Sequence, residues 1–263
     1  MRGFNAFSTY LLLPALILPL ILFAHGHDVV AAAAGFSVNA EQLDALLCRP
    51  KGPGPFPAVV YNHGSIVDAL GLSGAAARGN RLDVICETLA QDGFLAFFPI
   101  REKVPRGRGY NLYQDYYKDV VSRAIDHVRT FPDVDTSRVA LMGHSMGGLI
   151  TLLLGIERKD LKALVVSAPA QGPRKGIVFN GVVQNADQLN APLLLLVEES
   201  DSSHIMRGVN QLDEALRKRK KSAKVIRYNQ GGGHELFFNV DYYWGDVRAF
   251  LREKLAPSAP RRQ

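Results

Sequence analysis

One serine stands among small residues directly after an apolar run. In "RVALMGHSMGGLIT" (138–151), Ser145 has glycines at positions 143 and 147. A serine on a sharp turn from strand to helix projects its hydroxyl above the sheet, and small neighbours prevent clashes with adjacent backbone. The amino end of the following helix favours developing negative charge at the same place. The pattern predicts that Ser145 is a nucleophile.

A serine hydroxyl is a weak nucleophile, so it needs a base that is oriented by an acid. Of the seven histidines, His234 is the predicted base because "NQGGGHELFF" is a flexible loop after a predicted strand. Asp201 in "EESDSSH" is the predicted acid, with Glu199 as the second candidate. Two alternatives stay open: Asp201 caps the next helix, or it pairs locally with His204. The chain order serine, aspartate, histidine is the one expected for this topology.

Acyl transfer also needs hydrogen-bond donors for the oxyanion of its tetrahedral intermediate. The segment "YNHGSIVD" (61–68) follows a predicted strand, and Gly64 lets its backbone turn towards the serine. We expect the backbone amides of Ser65 and Met146 to form the oxyanion hole.

Short apolar runs alternate with helical patterns along the chain. The predicted strands cover 44–50, 57–63, 94–100, 138–144, 162–169, 192–199 and 223–229, and the predicted helices lie near 80–91, 112–131, 147–157, 205–219 and 240–255. Such alternation predicts an α/β fold with a mainly parallel central sheet flanked by helices. Functional groups then gather at the carboxyl ends of the strands.

The first 34 residues have the order of an export signal. Arg2 is followed by an uncharged apolar run at 10–24 and then by small residues. An uncleaved membrane anchor is the alternative, although the run is short for a span. We expect a signal over residues 1–34, a mature chain that begins between 25 and 36, and a single domain over 35–263. The mature protein is expected to be periplasmic or secreted, without stable membrane insertion.

The formal net charge is +6. Basic residues cluster at 217–224, 105–109 and 260–262. The first cluster ends a predicted helix, where cations are favourable, and aromatic residues do not interleave it. We therefore expect a solvated surface and no nucleic-acid partner.

The chain contains two cysteines, Cys48 and Cys86. In an exported protein they form one disulfide or stay as two buried thiols, and the sequence leaves both possibilities open. No group of cysteines and histidines has the spacing of metal ligands, so neither a metal nor an organic cofactor is expected.

Four segments resemble the α/β-hydrolase superfamily, and in particular its dienelactone-hydrolase-like branch: "PFPAVVYNHGS", "VDTSRVALMGHSMGG", "PLLLLVEESD" and "GGGHELFF". The similarity covers roughly residues 43–255 and extends to the catalytic domain of prolyl-oligopeptidase-type enzymes. Dienelactone hydrolase proper has a cysteine nucleophile, whereas this chain has Ser145. The resemblance implies a serine hydrolase, but it does not imply dienelactone as the substrate. We expect cleavage of a carboxylic ester or lactone of a small soluble substrate. A serine peptidase, an acyltransferase and a non-catalytic binding protein of the same fold are the alternatives.

The region 168–189, where such folds insert a lid, is too short for a cap of several helices. A minimal lid and an open pocket are therefore expected. Apolar side chains of this region either line an acyl site or pack onto the core: Ile177, Val178, Phe179, Val182 and Val183. Three arginines follow a predicted strand and are weaker candidates for contacting an anionic substrate: Arg101, Arg106 and Arg108. The oligomeric state is left open.

Overall fold

A computed structural model describes residues 29–38, 41–102 and 110–257. The strands are β1 (Val29–Val38), β2 (Glu41–Pro50), β3 (Phe56–Asn62), β4 (Leu95–Pro99), β5 (Val134–His144), β6 (Ala163–Ser167), β7 (Leu193–Glu198) and β8 (Ala223–Tyr228). They form one sheet in the order β1-β2-β4-β3-β5-β6-β7-β8. The pairs β1–β2 and β2–β4 are antiparallel, and the other five pairs are parallel.

Helices connect the strands. They are α1 (Ser65–Ala77), α2 (Leu82–Gln91), α3 (Tyr110–Val128), α4 (Met146–Glu157), α5 (Pro173–Gln184), α6 (Ser203–Lys218) and α7 (Trp244–Lys254). Short 3₁₀ helices cover Ala186–Gln188, Gly233–Phe238 and Val240–Tyr242. Every residue of β4, β6 and β7 is buried, so helices must cover both faces of the sheet at these strands. The predicted mainly parallel sheet with flanking helices is confirmed.

Strand β1 was not predicted. It pairs with β2 along its whole length, and Phe36 and Val38 contribute to the core. The expected boundary after residue 34 therefore falls inside this strand. Residues 1–28, which include the apolar run of the expected signal, lie outside the described residues. In the described part of the chain, no helix has the length and apolarity needed to cross a membrane.

The two cysteines form a disulfide between β2 and α2. The Cα atoms of Cys48 and Cys86 are 5.7 Å apart, and both residues are buried. Of the two possibilities left open by the sequence, the structure contains the disulfide.

The basic cluster 217–224 begins at the end of α6. Arg217 pairs with Asp213, and Lys218 pairs with Glu214 one helical turn earlier. This part of the cluster is partly neutralised by its own helix. The other two basic clusters, 105–109 and 260–262, fall outside the described residues.

Candidate active site

Ser145 lies at the sharp turn between β5 and α4. Its φ is 55° and its ψ is −119°, a backbone conformation that is strained for a residue with a Cβ. Two backbone hydrogen bonds hold the turn: the Ser145 amide donates to the Ser167 carbonyl at 3.0 Å, and the Ala170 amide donates to the Ser145 carbonyl at 2.8 Å. The neighbouring loop thus fixes the serine where its side chain leaves the sheet.

Gly147 allows α4 to approach the end of β3. A Cβ at this position would lie 1.8 Å from the carbonyl oxygen of Asn62. The Asn62 side-chain amide also donates a hydrogen bond to the Gly147 carbonyl at 3.0 Å. The turn around Ser145 therefore packs directly against the end of β3 and is hydrogen-bonded to it.

The structure brings Ser145, His234 and Asp201 together in one chain of hydrogen bonds. His234 Nε2 lies 2.9 Å from Ser145 Oγ, and His234 Nδ1 lies 2.8 Å from Asp201 Oδ2. A carboxylate only accepts hydrogen bonds, so Nδ1 carries the proton and donates a hydrogen bond to Asp201. Nε2 is then free to accept the hydrogen bond of the serine hydroxyl.

Asp201 is held on both sides of its carboxylate. Its Oδ1 accepts hydrogen bonds from the Ser202 amide at 2.6 Å and from the Ser202 hydroxyl at 3.1 Å. Burial alone raises the pKa of Asp201, but the hydrogen bond and charge of His234, with the bonds from Ser202, outweigh it and hold the pKa below its ordinary value. Glu199, the second candidate, is exposed, and His204 lies on the wall of the adjoining cleft.

His144 packs beneath the ring of His234. The two ring centroids are 4.8 Å apart, and His144 Nδ1 lies 3.2 Å from Ser167 Oγ. Burial and the neighbouring His234 lower the pKa of His144 to about 3. His144 is therefore a neutral, buried residue that packs against the ring of His234.

The loop after β3 lies against Ser145. A Cβ on Gly64 would be 3.2 Å from Ser145 Cβ and 3.3 Å from His144 Cδ2. Ser65 and Met146 are the first residues of α1 and α4, and amides in the first turn of a helix have no acceptor within that helix. The two amides expected at the oxyanion hole are thus available at helix amino ends that begin beside Ser145.

A cleft of about 570 Å³ adjoins the serine and histidine. Its lining residues are Ser145, Met146, Ala170, Gln171, Gly172, Ser200, Asp201, Ser202, His204, Ile205 and His234. Chemically, this arrangement joins a hydroxyl, an imidazole and a carboxylate at one solvent-accessible site. Met146 is on the wall of this cleft, whereas Ser65 is not among its lining residues.

The apolar residues of α5 do not line this cleft. Phe179 and Val182 are fully buried in the core, Val178 and Val183 pack against it, and Ile177 is 59% exposed. Of the two interpretations left open by the sequence, core packing therefore holds for four of these five side chains.

The model of the dienelactone hydrolase family matches residues 43–243. The chain belongs to the dienelactone hydrolase family. Membership makes it a hydrolase of the ester or lactone type, and the α/β-hydrolase fold implied by the resemblance is confirmed.

Relatives in and around the dienelactone hydrolase family are distant. A provisionally named carboxymethylenebutenolidase of Escherichia coli strain K12 is 28% identical over 228 residues, which cover 81% of this chain and 79% of that protein. Cutinase 1 of Thermobifida cellulosilytica is 30% identical over 146 residues, 53% of each chain. A crystal structure provisionally titled dienelactone hydrolase, from Klebsiella pneumoniae, superposes with a TM-score of 0.67 at 21% identity and covers 88% of this chain and 99% of its own. This last likeness shows the shared fold.

Arg101 does not line the cleft, so it is not placed to contact an anionic substrate, a role for which the sequence made it only a weak candidate. The residue is 1% exposed, and its guanidinium donates to Asn62 Oδ1, to the His63 carbonyl at 2.5 Å and to Asp68 Oδ2 at 3.3 Å. A guanidinium has five donors, which this cluster of oxygens satisfies in part. Arg101 therefore braces the end of β3, next to the loop that reaches Ser145. The other two arginines of that expectation, at 106 and 108, lie outside the described residues.

His63 belongs to the same buried cluster. Its Nε2 accepts the Arg101 backbone amide at 3.0 Å, so Nδ1 carries the proton and donates to the Gly64 carbonyl at 3.0 Å. Burial and the charge of Arg101 lower the pKa of His63 well below its usual value, which keeps the ring neutral. His63 thereby fixes the loop that carries Ser65.

Asn62 was assigned no role from the sequence, and the burial of Arg101 and Glu198 was not predicted. All three are polar residues that stand at, or just after, the carboxyl end of an apolar strand. A polar residue in that position is the signal that could have identified them, since its side chain is buried beside the site. In the part of the chain that the structure describes, no three His, Cys, Asp or Glu side chains form a group that could hold a metal ion.

Proposed function

We propose that this chain is a serine hydrolase that cleaves a carboxylic ester or lactone of a small soluble substrate through an acyl-enzyme. The observation that carries the proposal is the hydrogen-bonded series from Ser145 through His234 to Asp201 at the edge of an open cleft. Family membership supports the reaction class, and the provisional name of the Escherichia coli relative refers to a lactone-cleaving activity.

In the first half of the reaction, Ser145 Oγ attacks the substrate carbonyl carbon while His234 Nε2 takes the hydroxyl proton. The carbonyl oxygen becomes an oxyanion, which accepts hydrogen bonds from the amides of Ser65 and Met146. The imidazolium is stabilised by ionised Asp201. His234 then gives its proton to the alkoxide as the C–O bond breaks, and an ester remains on Ser145. The alcohol departs from an open-chain ester, whereas it stays attached to the acyl chain when a lactone ring opens.

In the second half, His234 removes a proton from water as the water oxygen attacks the acyl carbon. Collapse of this second tetrahedral intermediate breaks the bond to Ser145 Oγ, which regains a proton from His234. The products are a carboxylic acid and the free enzyme. Ser200, Ser202 and His204 on the cleft wall are exposed, so water reaches the acyl group, which favours hydrolysis over transfer to another acceptor.

The substrate's acyl group is expected to be short. Each methylene removed from water contributes about 0.8 kcal/mol, but the cleft offers only a small apolar wall, from Met146, Ala170 and Ile205. The single lid helix α5 adds none of its large apolar side chains to that wall. Additional carbons would therefore remain in solvent.

The test is a series of kcat/KM values on p-nitrophenyl esters of increasing acyl length, beside p-nitroanilides with the same acyl groups. We expect a maximum at roughly two to six carbons, little anilide cleavage and no jump in rate at an oil–water interface. Ser145→Ala serves as the background control. Rates that climb to about twelve carbons would indicate a lipase, and faster anilide cleavage would indicate a peptidase.

Export is a second part of the proposal. The charged, apolar and small-residue order at the start supports it, and the Cys48–Cys86 disulfide supports an oxidising compartment. A periplasmic or secreted enzyme would meet its ester substrate outside the cytoplasm.

A further inference from the structure

Glu198, the last residue of β7, is an ionisable side chain with no exposed surface. Its Oε1 accepts hydrogen bonds from the backbone amides of Gln230 and Gly231, each at 3.1 Å, and its Oε2 lies 3.2 Å from the Gln230 amide. The Ser200 hydroxyl donates to the same Oε1 at 3.3 Å. The buried side chain of Glu198 thus accepts most of its hydrogen bonds from backbone amides of the loop at Gln230 and Gly231.

These contacts connect the two segments that carry His234 and Asp201. The Ser200 hydroxyl, which donates to Glu198, also accepts a hydrogen bond from the Gly233 amide at 3.1 Å. Gly233 is the residue directly before His234. The Asp201 amide donates to the Glu198 carbonyl at 3.0 Å. The side chain of Glu198 therefore binds the loop that precedes His234, and its backbone carbonyl binds the turn that carries Asp201.

The loop needs such an anchor because of its composition. Residues 231–233 are three consecutive glycines, with no side chains to pack against the protein. The φ angles of Gly231 and Gly233 are 81° and 54°, in the left-handed region. Glycine loses more conformational freedom than any other residue when it is ordered, so this loop would sample many conformations without fixed hydrogen bonds.

We propose that Glu198 is a positioning residue that sets the place of His234 by binding the backbone of the loop before it. The inference rests on the proposed function, in which His234 is the base. The hydrogen bond from Ser145 to His234 spans 2.9 Å, and a displacement of about 1 Å at a reacting group can lower a rate about 100-fold. Glu198 has no exposed surface and is not among the residues that line the cleft, so it acts through the loop.

The neighbouring residue provides a matched control. Glu199 has the same side chain and stands one position along the chain, but it is exposed. We compare Glu198→Ala and Glu198→Gln with Glu199→Ala and Glu199→Gln. Glu198→Gln keeps one acceptor oxygen but turns an NH₂ group towards a backbone N–H, so its effect is expected to be smaller than that of Glu198→Ala.

Three readouts are taken on the full chain: kcat and KM on a p-nitrophenyl ester, the rate of fluorophosphonate labelling, and hydrogen exchange of individual amides. For Glu198→Ala we expect kcat and the labelling rate to fall about 10- to 100-fold, while KM changes less than about threefold. The amides of Gln230 and Gly231 should exchange faster, and those of β7 should not change. Both Glu199 variants should stay within about twofold of the wild type in kcat and labelling.

Equal labelling rates in Glu198→Ala and Glu199→Ala, or unchanged exchange at Gln230 and Gly231, would overturn the inference. So would a change confined to KM. If the alanine variant does not fold, the same comparison is made with Glu198→Gln. Failure of the wild type to label would count against the proposed function instead, and the exchange rates would still show whether Glu198 holds the loop.

Discussion

Ser145 has a φ of 55°, which a residue with a Cβ adopts only where its surroundings impose it. The surroundings here are the backbone hydrogen bonds to Ser167 and Ala170 and the contact of α4 with Asn62. The strain places the hydroxyl where a hydrogen bond to His234 forms. At the scale of single residues, the site therefore depends on side chains and amides that are fixed before substrate arrives.

Asp201→Asn should lower kcat about 10²- to 10⁴-fold on a p-nitrophenyl ester. An asparagine amide turned towards His234 Nδ1 would favour the tautomer with the proton on Nε2, which cannot accept the proton of Ser145. Glu199→Gln, at an exposed position, should leave kcat within about twofold of the wild type. The reverse ranking of these two variants would move the acid to Glu199.

His144 should make the fold sensitive to mild acid. Its pKa is about 3 in the folded chain against 6.5 for an ordinary histidine, so between these values the unfolded chain binds a proton that the folded chain does not. The stability from this residue is fully present above about pH 6.5 and is lost as the pH falls towards 3, with a slope of about 1.4 kcal/mol per pH unit.

The measurement is the free energy of unfolding in urea between about pH 5 and pH 6.5, for the wild type and for His144→Asn. The variant should show the smaller slope, because asparagine does not titrate, whereas buried His63 contributes equally to both proteins. Parallel slopes would show that His144 is not the neutral, buried group described above.

At the scale of elements, the turn between β5 and α4 depends on how closely α4 approaches β3. Gly147 lies where even a methyl group would overlap the Asn62 carbonyl. The side-chain amide of Asn62 also donates a hydrogen bond to the Gly147 carbonyl, so the close contact and the hydrogen bond join the same two residues. The position of the nucleophile is thus a property of two packed elements.

Gly147→Ala should destabilise the fold by about 3 kcal/mol or more and abolish ester hydrolysis, since α4 must move away from β3. Gly181→Ala is the matched control, because a Cβ at that helical glycine meets no atom within 4 Å. We expect this control to gain about 0.5–1 kcal/mol with unchanged activity. Equal effects of both substitutions on unfolding in denaturant would refute the packing argument.

Of the elements in the described part of the chain, seven of the eight strands and five of the seven α-helices were predictable, because their apolar runs and helical periods are strong. Helix α5 was not, since its glycines weaken the helical pattern and Gly176 has a φ of 83°. The helix is stabilised instead by burial of Phe179 and Val182 in the core. Such tertiary packing cannot be predicted from the local sequence pattern. Strand β1 was missed because "VVAAAAG" consists of small residues without alternation, and its partner β2 supplies the pairing.

Some residues of the site were predictable from the sequence, and others were not. Ser145, Asp201 and His234 stand in motifs whose spacing indicates their chemistry, and the structure brings them together. The roles of Arg101 and Glu198 depend on which side chains of other elements surround them, and spacing along the chain does not give that information. Both are charged residues that the fold buries, contrary to the usual tendency.

At the scale of the whole molecule, the disulfide and the first strand bear on the proposed export and on the proposed cleavage of a signal. Cys48 and Cys86 join β2 to α2 near the edge of the sheet where β1 pairs with β2. A cut within β1 would remove part of that edge and expose the backbone of β2. If the proposed cleavage takes place, we therefore expect it in the lower part of the range 25–36, so that β1 stays intact.

The intact mass of protein exported by its native host should correspond to a chain that begins between residues 25 and 29, at or before the first residue of β1. The mass should be lower by two hydrogens than that of the dithiol form, because Cys48 and Cys86 are joined. Treatment with a thiol reagent without reductant serves as the control and should add nothing. An intact Met1 in a membrane fraction would favour an uncleaved anchor over a cleaved signal. Two reactive thiols would contradict the disulfide.

The central claim is that Ser145 is the nucleophile, and covalent labelling by a fluorophosphonate tests it most directly. Mass spectrometry of the labelled wild type should show one adduct per chain on the peptide that contains Ser145. Ser65→Ala should still be labelled, because it keeps the backbone amide proposed to bind the oxyanion, and Ser145→Ala should carry no adduct. An adduct that persists in Ser145→Ala, or a folded wild type that is not labelled, would contradict the account.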